Sequence, residues 1–207
     1  MRKRKSLHYL IGTGAFILLL ISGFIVGNEA SSQTTDLSFK NYPDHTFNVK
    51  EYISAMQKGG HNLLIWRDPA VNLSQYKSVK VTNFGGRLLP QQTAFSYDPF
   101  INAFNSSFQS SLTLTKEDSP NALLIEGAVV ECNPGSQAAR WIVGLGAGKT
   151  GGGVVCEVYE PKKTQPCVRI YTRDTGSSGG DSVSMLNHIF TQLGFRLATT
   201  LNTTIGH

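Results

Sequence analysis

Three short motifs in the second half of the chain carry residue types that could do chemistry. The first is Gly148-Lys149-Thr150, which resembles the end of a phosphate-binding P-loop. That loop has another glycine five positions before Gly148, so that its backbone amides curl around a phosphate. Here that position holds Val143, and Gly144 comes one residue too late. The segment therefore does not predict nucleotide binding.

The second motif is Asp174-Thr175-Gly176-Ser177, the tetrapeptide of aspartic proteases, in which two carboxylates share one proton. In the proteases two apolar residues precede the aspartate and bury it, whereas Thr172 and Arg173 precede this one. The adjacent arginine would keep Asp174 ionised, and the sequence contains no second copy of the motif. We expect a solvated loop that follows a strand.

The third motif, Gly180-Asp181-Ser182, is similar to the nucleophile motifs of serine hydrolases. Asp and Ser are also ordinary N-caps, and a helical pattern starts here. The histidines of the exported part show no spacing to Ser182 that marks a catalytic triad; they are His45, His61, His188 and His207. We therefore predict no catalytic residue and a protein that is not an enzyme. The alternative is an exported hydrolase whose site is assembled from residues distant in sequence.

The three cysteines are Cys132, Cys156 and Cys167. They lack the CxxC spacing and nearby histidines of a zinc site, so neither a metal nor a cofactor is predicted. Cys156 and Cys167 fall on two consecutive predicted strands, where a disulfide could bridge the hairpin. The alternative is that all three are small, buried apolar residues.

The N-terminal segment indicates where the protein works. Four basic residues, Arg2 to Lys5, precede about 21 residues without Asp, Glu, Lys or Arg, enough for about 31 Å of helix. This is typical of a transmembrane anchor or of a cleaved export signal. In both cases the basic end stays inside and residues from Asn28 onward lie outside. We expect a membrane-anchored protein with a periplasmic C-terminal domain, or a periplasmic protein if the leader is cleaved.

The charge of the exported part argues against nucleic acid as a partner. The chain has 19 basic and 14 acidic residues, for a net charge of +5. Four of the basic residues precede the apolar segment, and every acidic residue follows it. The excess positive charge therefore belongs to targeting and does not predict a phosphate-binding face.

The hydrophobic pattern predicts an α+β fold. One apolar stripe follows the helix start Asp98-Pro99, and a second follows Asp181, both at helical spacing. Strands are predicted at residues 79–84, 122–132, 154–159 and 167–172, and a short helix at 49–58. We expect a mixed or antiparallel sheet of four to five strands with two main helices on one face, behind an N-terminal membrane-spanning helix. The predicted divisions are a signal or transmembrane anchor (1–27), a polar spacer with a short helix (28–60) and an extracytoplasmic domain (61–207).

Two stretches resemble known sequences. Residues 68–81, from Asp68-Pro69 through Tyr76 to Val81, look like the opening of certain bacterial envelope lipoprotein families of unknown function. Residues 135–149 resemble their glycine-rich signature, GSxAARWxVGxGAGK. The resemblance covers residues 63–200 and implies a small, non-enzymatic α/β domain of the kind found in periplasmic assembly and transport-auxiliary lipoproteins. The chain lacks the lipidated cysteine of these families, and they provide no catalytic residues to transfer.

Seven glycines between Gly135 and Gly153 surround Trp141 and Leu145. A mobile loop with an apolar tip could bind a partner or a lipid surface. Alternatively, the glycines allow close backbone packing or a bulge in the sheet. We expect a non-catalytic envelope protein that binds a protein partner as an assembly or transport accessory factor. The candidate contact residues are Arg140, Trp141, Leu145 and Lys149.

The predicted topology can be tested with reporter fusions. A reporter that is active only outside the cytoplasm should be active when fused after His207. Changing Leu18 and Leu19 to arginine should abolish membrane targeting, since each central charge costs about 2.5–3.5 kcal/mol on insertion scales. Activity of a cytoplasmic reporter at the same fusion point would contradict the topology.

Overall fold

Six strands form one mixed sheet in the structure, a computed structural model that describes residues 37–91, 95–135, 149–176 and 181–206. The strands are β1 (Gln57–Gly60), β2 (Leu63–Arg67), β3 (Val79–Val81), β4 (Leu123–Asn133), β5 (Thr150–Tyr159) and β6 (Val168–Gly176). Their spatial order is β1-β2-β6-β5-β4-β3. Only the β3–β4 pair is parallel. The described residues all belong to one unit, Gln33–His207.

The helices are α1 (Val49–Tyr52), α2 (Asp98–Ser111) and α3 (Ser182–Ile205), with 3₁₀ turns at Phe39–Asn41 and Leu73–Gln75. The α+β class and the mixed sheet are confirmed, although the sheet has six strands rather than four or five. The strands that were not predicted are β1 and β2, and β1 lies where the short helix was predicted to end. Gly59 and Gly60 disfavour helix, and the backbone of β1 pairs with β2 instead.

The two long helices bury the apolar stripes that their sequences predict. Phe100, Phe104 and Phe108 of α2 are buried, as are Leu186, Phe190 and Leu193 of α3. They pack against alternate residues of β5, Val154, Cys156 and Val158, on one face of the sheet. Because successive strand residues point to opposite faces, the residues between them face the other side.

The caps of the two helices differ. The Asp181 carboxylate accepts hydrogen bonds from the backbone N–H groups of Val183 and Ser184, so α3 has the predicted N-cap. For α2 the predicted N-cap, Asp98, is the first helical residue, and Tyr97 occupies the cap position without a side-chain cap bond. Pro99 still lies in the first turn, where its missing N–H is tolerated.

The two helices cross at a glycine. A Cβ on Gly194 of α3 would lie 2.6 Å from the Phe104 carbonyl oxygen and 2.9 Å from the Phe108 backbone nitrogen of α2. Beside the crossing, the Ser107 hydroxyl donates to the Thr191 carbonyl at 2.7 Å. Asn202 links the helices again further along, donating to the Ser111 carbonyl and accepting from Thr113 N–H. The helix pair is therefore held at a distance that a larger residue would not permit.

The segment predicted as a polar spacer packs on the opposite face of the sheet. From residue 38 onward it contributes to a second apolar cluster, in which Phe39 and Tyr52 are buried against Val155 and Tyr171. The domain therefore begins before residue 61. We name residues 37–56 the N-terminal strap.

The predicted N-terminal anchor, residues 1–27, lies outside the described residues. Among the residues that the structure describes, none of the helices combines the length and the apolar character needed to cross a bilayer.

Replacing Gly194 with alanine should lower the free energy of unfolding by about 1–3 kcal/mol, because the methyl group forces the two helix backbones apart. At an uncrowded helix position the same change would stabilise by about 1 kcal/mol. Chemical denaturation measures the difference. Gly60→Ala is the matched control, since a Cβ there has no neighbour within 4 Å. Equal stability of the two variants would contradict the close crossing.

Candidate functional site

The predicted contact segment connects β4 to β5. Of its four candidate contact residues, the structure describes Lys149, which is exposed and immediately precedes β5. Arg140, Trp141 and Leu145 lie outside the described residues. The structure does describe the two ends of the segment, Gly135 and Lys149-Thr150. We name these residues, where β4 ends and β5 begins, the base of the segment.

That base is closed by short-range contacts. Gly135 has a φ of +69°, and its N–H donates to the Asn133 side chain at 2.9 Å. A Cβ on Gly135 would lie only 2.7 Å from the Thr150 backbone nitrogen. The Thr150 hydroxyl in turn donates to the Pro134 carbonyl at 3.3 Å. The two ends of the segment are therefore adjacent, and glycine is required at 135 both by its conformation and by the space available.

Packing also explains the three glycines of β5. A Cβ on Gly152 would lie 3.0 Å from the Phe190 ring of α3. On the other face, a Cβ on Gly151 would lie 3.3 Å from the Glu131 carboxylate, and one on Gly153 would lie 3.2 Å from the Glu131 Cβ. These three glycines therefore fit the interpretation that they allow close packing, and not the interpretation that they belong to a mobile loop. Gly144, Gly146 and Gly148 lie outside the described residues.

Two ion pairs brace the same end of the sheet. The Arg173 guanidinium donates to both carboxylate oxygens of Glu131, at 2.6 and 2.8 Å. Arg196 of α3 donates to Asp174 at 2.7 Å, and the Asn62 amide donates to the same carboxylate at 3.4 Å. Asp174 therefore links β6 to α3. It lies within β6 and not in the solvated loop that its motif was predicted to form.

The other two motifs also have structural contacts. Asp181 caps α3 and accepts from the Ser184 hydroxyl, which lowers the pKa of its carboxyl below the ordinary value. Ser182 is the first residue of that helix. Lys149 precedes β5, while Gly148 lies outside the described residues. Within the described part of the chain, no group of three or more His, Cys, Asp or Glu side chains could hold a metal ion.

The candidate Cys156–Cys167 disulfide is not formed, because the two residues are out of register. Cys156 of β5 lies opposite Ile170, whereas the Cys167 backbone N–H donates to the Val158 carbonyl. All three cysteines are free and buried. Burial raises the pKa of Cys132 to about 12 and that of Cys167 to about 11. Such thiols stay protonated and unreactive.

A feature that sequence reasoning missed is a buried carboxylate on the strap face. Glu157 of β5 has no exposed surface and accepts four hydrogen bonds. Ser38 Oγ donates at 2.7 Å, Phe39 N–H at 2.8 Å and Tyr52 Oη at 3.0 Å, and Tyr159 Oη completes the set. Three of the four donors belong to the N-terminal strap. We name Glu157 and these four donors the carboxylate clasp.

Arg169 of β6 is the cross-strand partner of Glu157. It is fully buried, and its Nη1 donates to the Leu37 and Tyr52 carbonyls. Its guanidinium lies over the rings of Tyr52 and Trp66, at 5.6 and 4.8 Å from their centroids. The arginine thus holds the strap through main-chain and aromatic contacts and balances the nearby carboxylate charge.

The electrostatics of the clasp follow from its burial. Burial raises the pKa of Glu157 above its ordinary value, and the four hydrogen bonds oppose that rise. Burial also lowers the pKa of Arg169, against the attraction of Tyr52 and Glu157. Because Glu157 has no contact with solvent, a substrate cannot reach its carboxylate to exchange a proton. The clasp can therefore hold the strap but cannot act as a general acid or base.

A further anchor lies beside the clasp. Arg87 donates to the carbonyls of Phe39 and Tyr42, both at 2.8 Å, and to Asp44 at 3.1 Å. Lys40 forms an ion pair with Glu126 of β4 and lies 4.0 Å from the centroid of the Tyr159 ring. The first turn of the strap is therefore fixed to β4, to β5 and to the loop after β3.

The sequence contains one signal that could have revealed the clasp. Residues 154–159 read Val-Val-Cys-Glu-Val-Tyr, and a lone glutamate within an apolar strand indicates a buried, paired carboxylate. Its partners could not be named from the sequence, because three of the four lie more than 100 residues away.

The fold defines an α+β domain in which α2 and α3 cover one face of the sheet and the strap covers the other. A family described as a domain of unknown function (DUF4410) matches residues 99–181, from α2 to the cap of α3. No curated protein sequence matches the chain at a significant level.

Two solved structures are similar at low identity. Both are PelC dodecamers from Paraburkholderia phytofirmans, one of them a leucine-to-methionine variant. Each is 16% identical with a TM-score of 0.39. The first match covers 65% of this chain and 94% of that one, and the second covers 66% and 95%. Similarity at this level carries no argument about this chain.

Replacing Glu157 with glutamine should lower the free energy of unfolding by about 1–3 kcal/mol, because the amide nitrogen cannot accept from the clasp donors. It should also release the strap, so that trypsin cuts after Lys40 and Lys50 faster than in the unmodified protein. Mass spectrometry of timed digests identifies the cuts.

Glu131→Gln is the matched control, since it removes one charge from the partly exposed pair with Arg173. Such a pair contributes about 0–1 kcal/mol, and its loss should leave the strap protected. If both variants were digested at the same rate, the clasp would not be what retains the strap.

Proposed function

We propose that this is a non-catalytic protein of the cell envelope that binds a protein partner as an assembly or transport accessory factor. The contact segment is the connection between β4 and β5, with Arg140, Trp141, Leu145 and Lys149 as its contact residues. The observation that carries the proposal is the closed base of this segment.

The base supports a binding role because it fixes both ends of the segment to the most buried part of the sheet. All ten residues of β5 are buried, and Gly135 packs directly on Thr150. A recognition segment mounted on a rigid hairpin loses less conformational entropy on binding than a free peptide does. Trp141 is a side chain of the type enriched at binding hot spots.

The contacts of Asp174 and Asp181 favour binding over hydrolysis. Asp174 is held by Arg196 and Asn62, and Asp181 is engaged in capping α3. A general base must be able to reach the proton that it abstracts, and these carboxylates are already committed to other groups.

The proposed location depends on the N-terminal segment and on the resemblance to envelope lipoprotein families. Residues 1–27 serve as a membrane anchor or an export signal, with the α+β domain in the periplasm. The glycine-rich signature at residues 135–149 is the part of the chain that links it to those families. Residues 135–149 lie within the range, residues 99–181, that the domain of unknown function matches.

The test is photo-crosslinking in intact cells. A photoreactive phenylalanine analogue in place of Leu145 should give a discrete adduct with one envelope protein. Trp141→Ala in the same chain should reduce that adduct at least tenfold, because the aromatic anchor is lost, while the melting temperature stays unchanged. Adduct yield and thermal unfolding are measured on the same preparations.

Lys163→Ala and Ser182→Ala are the controls, and both should leave the adduct unchanged. Lys163 is exposed in the turn between β5 and β6, away from the segment. An adduct that survives Trp141→Ala would contradict the contact assignment. Unfolding of the Trp141→Ala protein would mean that Trp141 belongs to the core.

A further inference from the structure

The outward faces of α2 and α3 carry almost no charge. The 14 residues of α2 and the 24 of α3 include only Asp98 and Arg196 among the Asp, Glu, Lys and Arg residues. Asp98 is the first residue of α2, and Arg196 is paired with Asp174. The exposed side chains of the two helices are mainly small and polar, and they include Ser106, Ser110, Thr191, Gln192, Thr199 and Thr203. A solvated protein surface of this kind usually has about 25–35% charged residues.

This face is more apolar than its sequence suggests. The hydroxyls of Thr191, Thr199 and Thr203 donate to the carbonyls four residues earlier, at 2.8, 2.9 and 3.0 Å. Their donors are thus satisfied within the helix, and burying them leaves no hydroxyl donor without a partner. Phe195 and Val183 are 54% and 51% exposed on the same helix.

The face is also rigid. Gly194, next to Phe195, lies at the close crossing of the two helices, and Ser107 and Asn202 link α2 to α3 on either side. A surface held in this way loses little conformational entropy when it binds. Depletion of charge together with an exposed aromatic is typical of the core of a protein–protein interface.

The absence of charge on this face restricts what it can bind. A helix face that binds anionic membranes carries Lys and Arg beside its apolar residues, and a charged partner would need complementary charges. The described residues of this face provide neither unpaired Lys or Arg side chains for a membrane nor a set of charges for a charged partner. Apart from Asp98, the paired Arg196 and the exposed His188, a second copy of the same face brings no ionisable side chain from these helices, and it offers the same small polar groups.

The size of the face is also suitable for a dimer. A helix of 24 residues is about 36 Å long and one of 14 residues about 21 Å, each about 10 Å wide. Together they present roughly 600 Å² of projected surface, close to the roughly 800 Å² that each partner buries in a standard interface. We propose that two copies of this chain associate through the outer faces of α2 and α3, related by a two-fold axis, with Phe195 at the centre of the contact.

The experiment uses two full-length copies with different tags, co-expressed and extracted under one condition. Capture through one tag should recover the other. Phe195→Glu in both copies should reduce recovery at least tenfold, and Phe195→Lys in both copies should do the same. Pairing one copy that carries Phe195→Glu with one that carries Phe195→Lys should restore recovery, because a two-fold axis places the two positions in the same contact.

Lys163→Glu in both copies is the control and should recover as the unmodified chain does. Thermal unfolding confirms that the Phe195 variants are folded, as expected for an exposed position. The proposal is overturned if the unmodified copies do not recover each other, if neither charge affects recovery, or if the mixed pair stays apart. Binding of vesicles of phosphatidylcholine and phosphatidylglycerol that depends on Phe195, without self-capture, would assign the face to lipid instead.

Discussion

The buried carboxylate of Glu157 is the interaction on which the arrangement of this domain depends. A carboxylate without solvent is unfavourable unless donors surround it, and here three of its four donors come from a segment far away in sequence. Arg169, opposite it on β6, supplies the balancing charge and holds the same segment through the Leu37 and Tyr52 carbonyls. Removing the strap would leave both charges buried without their partners. The strap is therefore part of the folded domain and not a tether leading to it.

This arrangement gives the sheet two different faces. On the helix side, apolar residues of β5 pack against the phenylalanine and leucine stripes of α2 and α3, and the described residues there include no fully buried charge pair. On the strap side, a hydrogen-bonded carboxylate and its cross-strand arginine lie within an aromatic cluster. Apolar packing tolerates some rearrangement, whereas a carboxylate with four donors accepts only one position of its partners. Polar contacts thus fix the strap in register. The positions of the helices are set by the volumes of their packed apolar side chains and by the small size of Gly194.

The short motifs show that a resemblance over three or four residues does not establish a catalytic role. Asp174 matches a protease tetrapeptide, yet Arg196 and Asn62 hold its side chain within the structure. Asp181 matches part of a hydrolase motif, and its oxygens cap a helix. The same carboxylate chemistry that makes these residues attractive as catalysts makes them good caps and ion-pair partners. Which role prevails depends on the groups that the fold brings within hydrogen-bond distance.

The sequence by itself determined the two long helices, their buried stripes and the β5–β6 hairpin, because each arises from periodicity within a few turns or a single strand pair. It also predicted a cap at Asp181 or Ser182, and the cap at Asp181 needs only backbone donors two and three residues ahead. Tertiary structure alone decided the pairing of β1 with β2, the packing of the strap and the carboxylate clasp. It also decided that Cys156 lies opposite Ile170 and not Cys167. Each of these depends on strand register or on contacts between residues distant in sequence, and no local pattern encodes either. The glycines of β5 illustrate the difference. Their number is visible in the sequence, but the Phe190 ring and the Glu131 side chain that pack closely over them are brought there only by the fold.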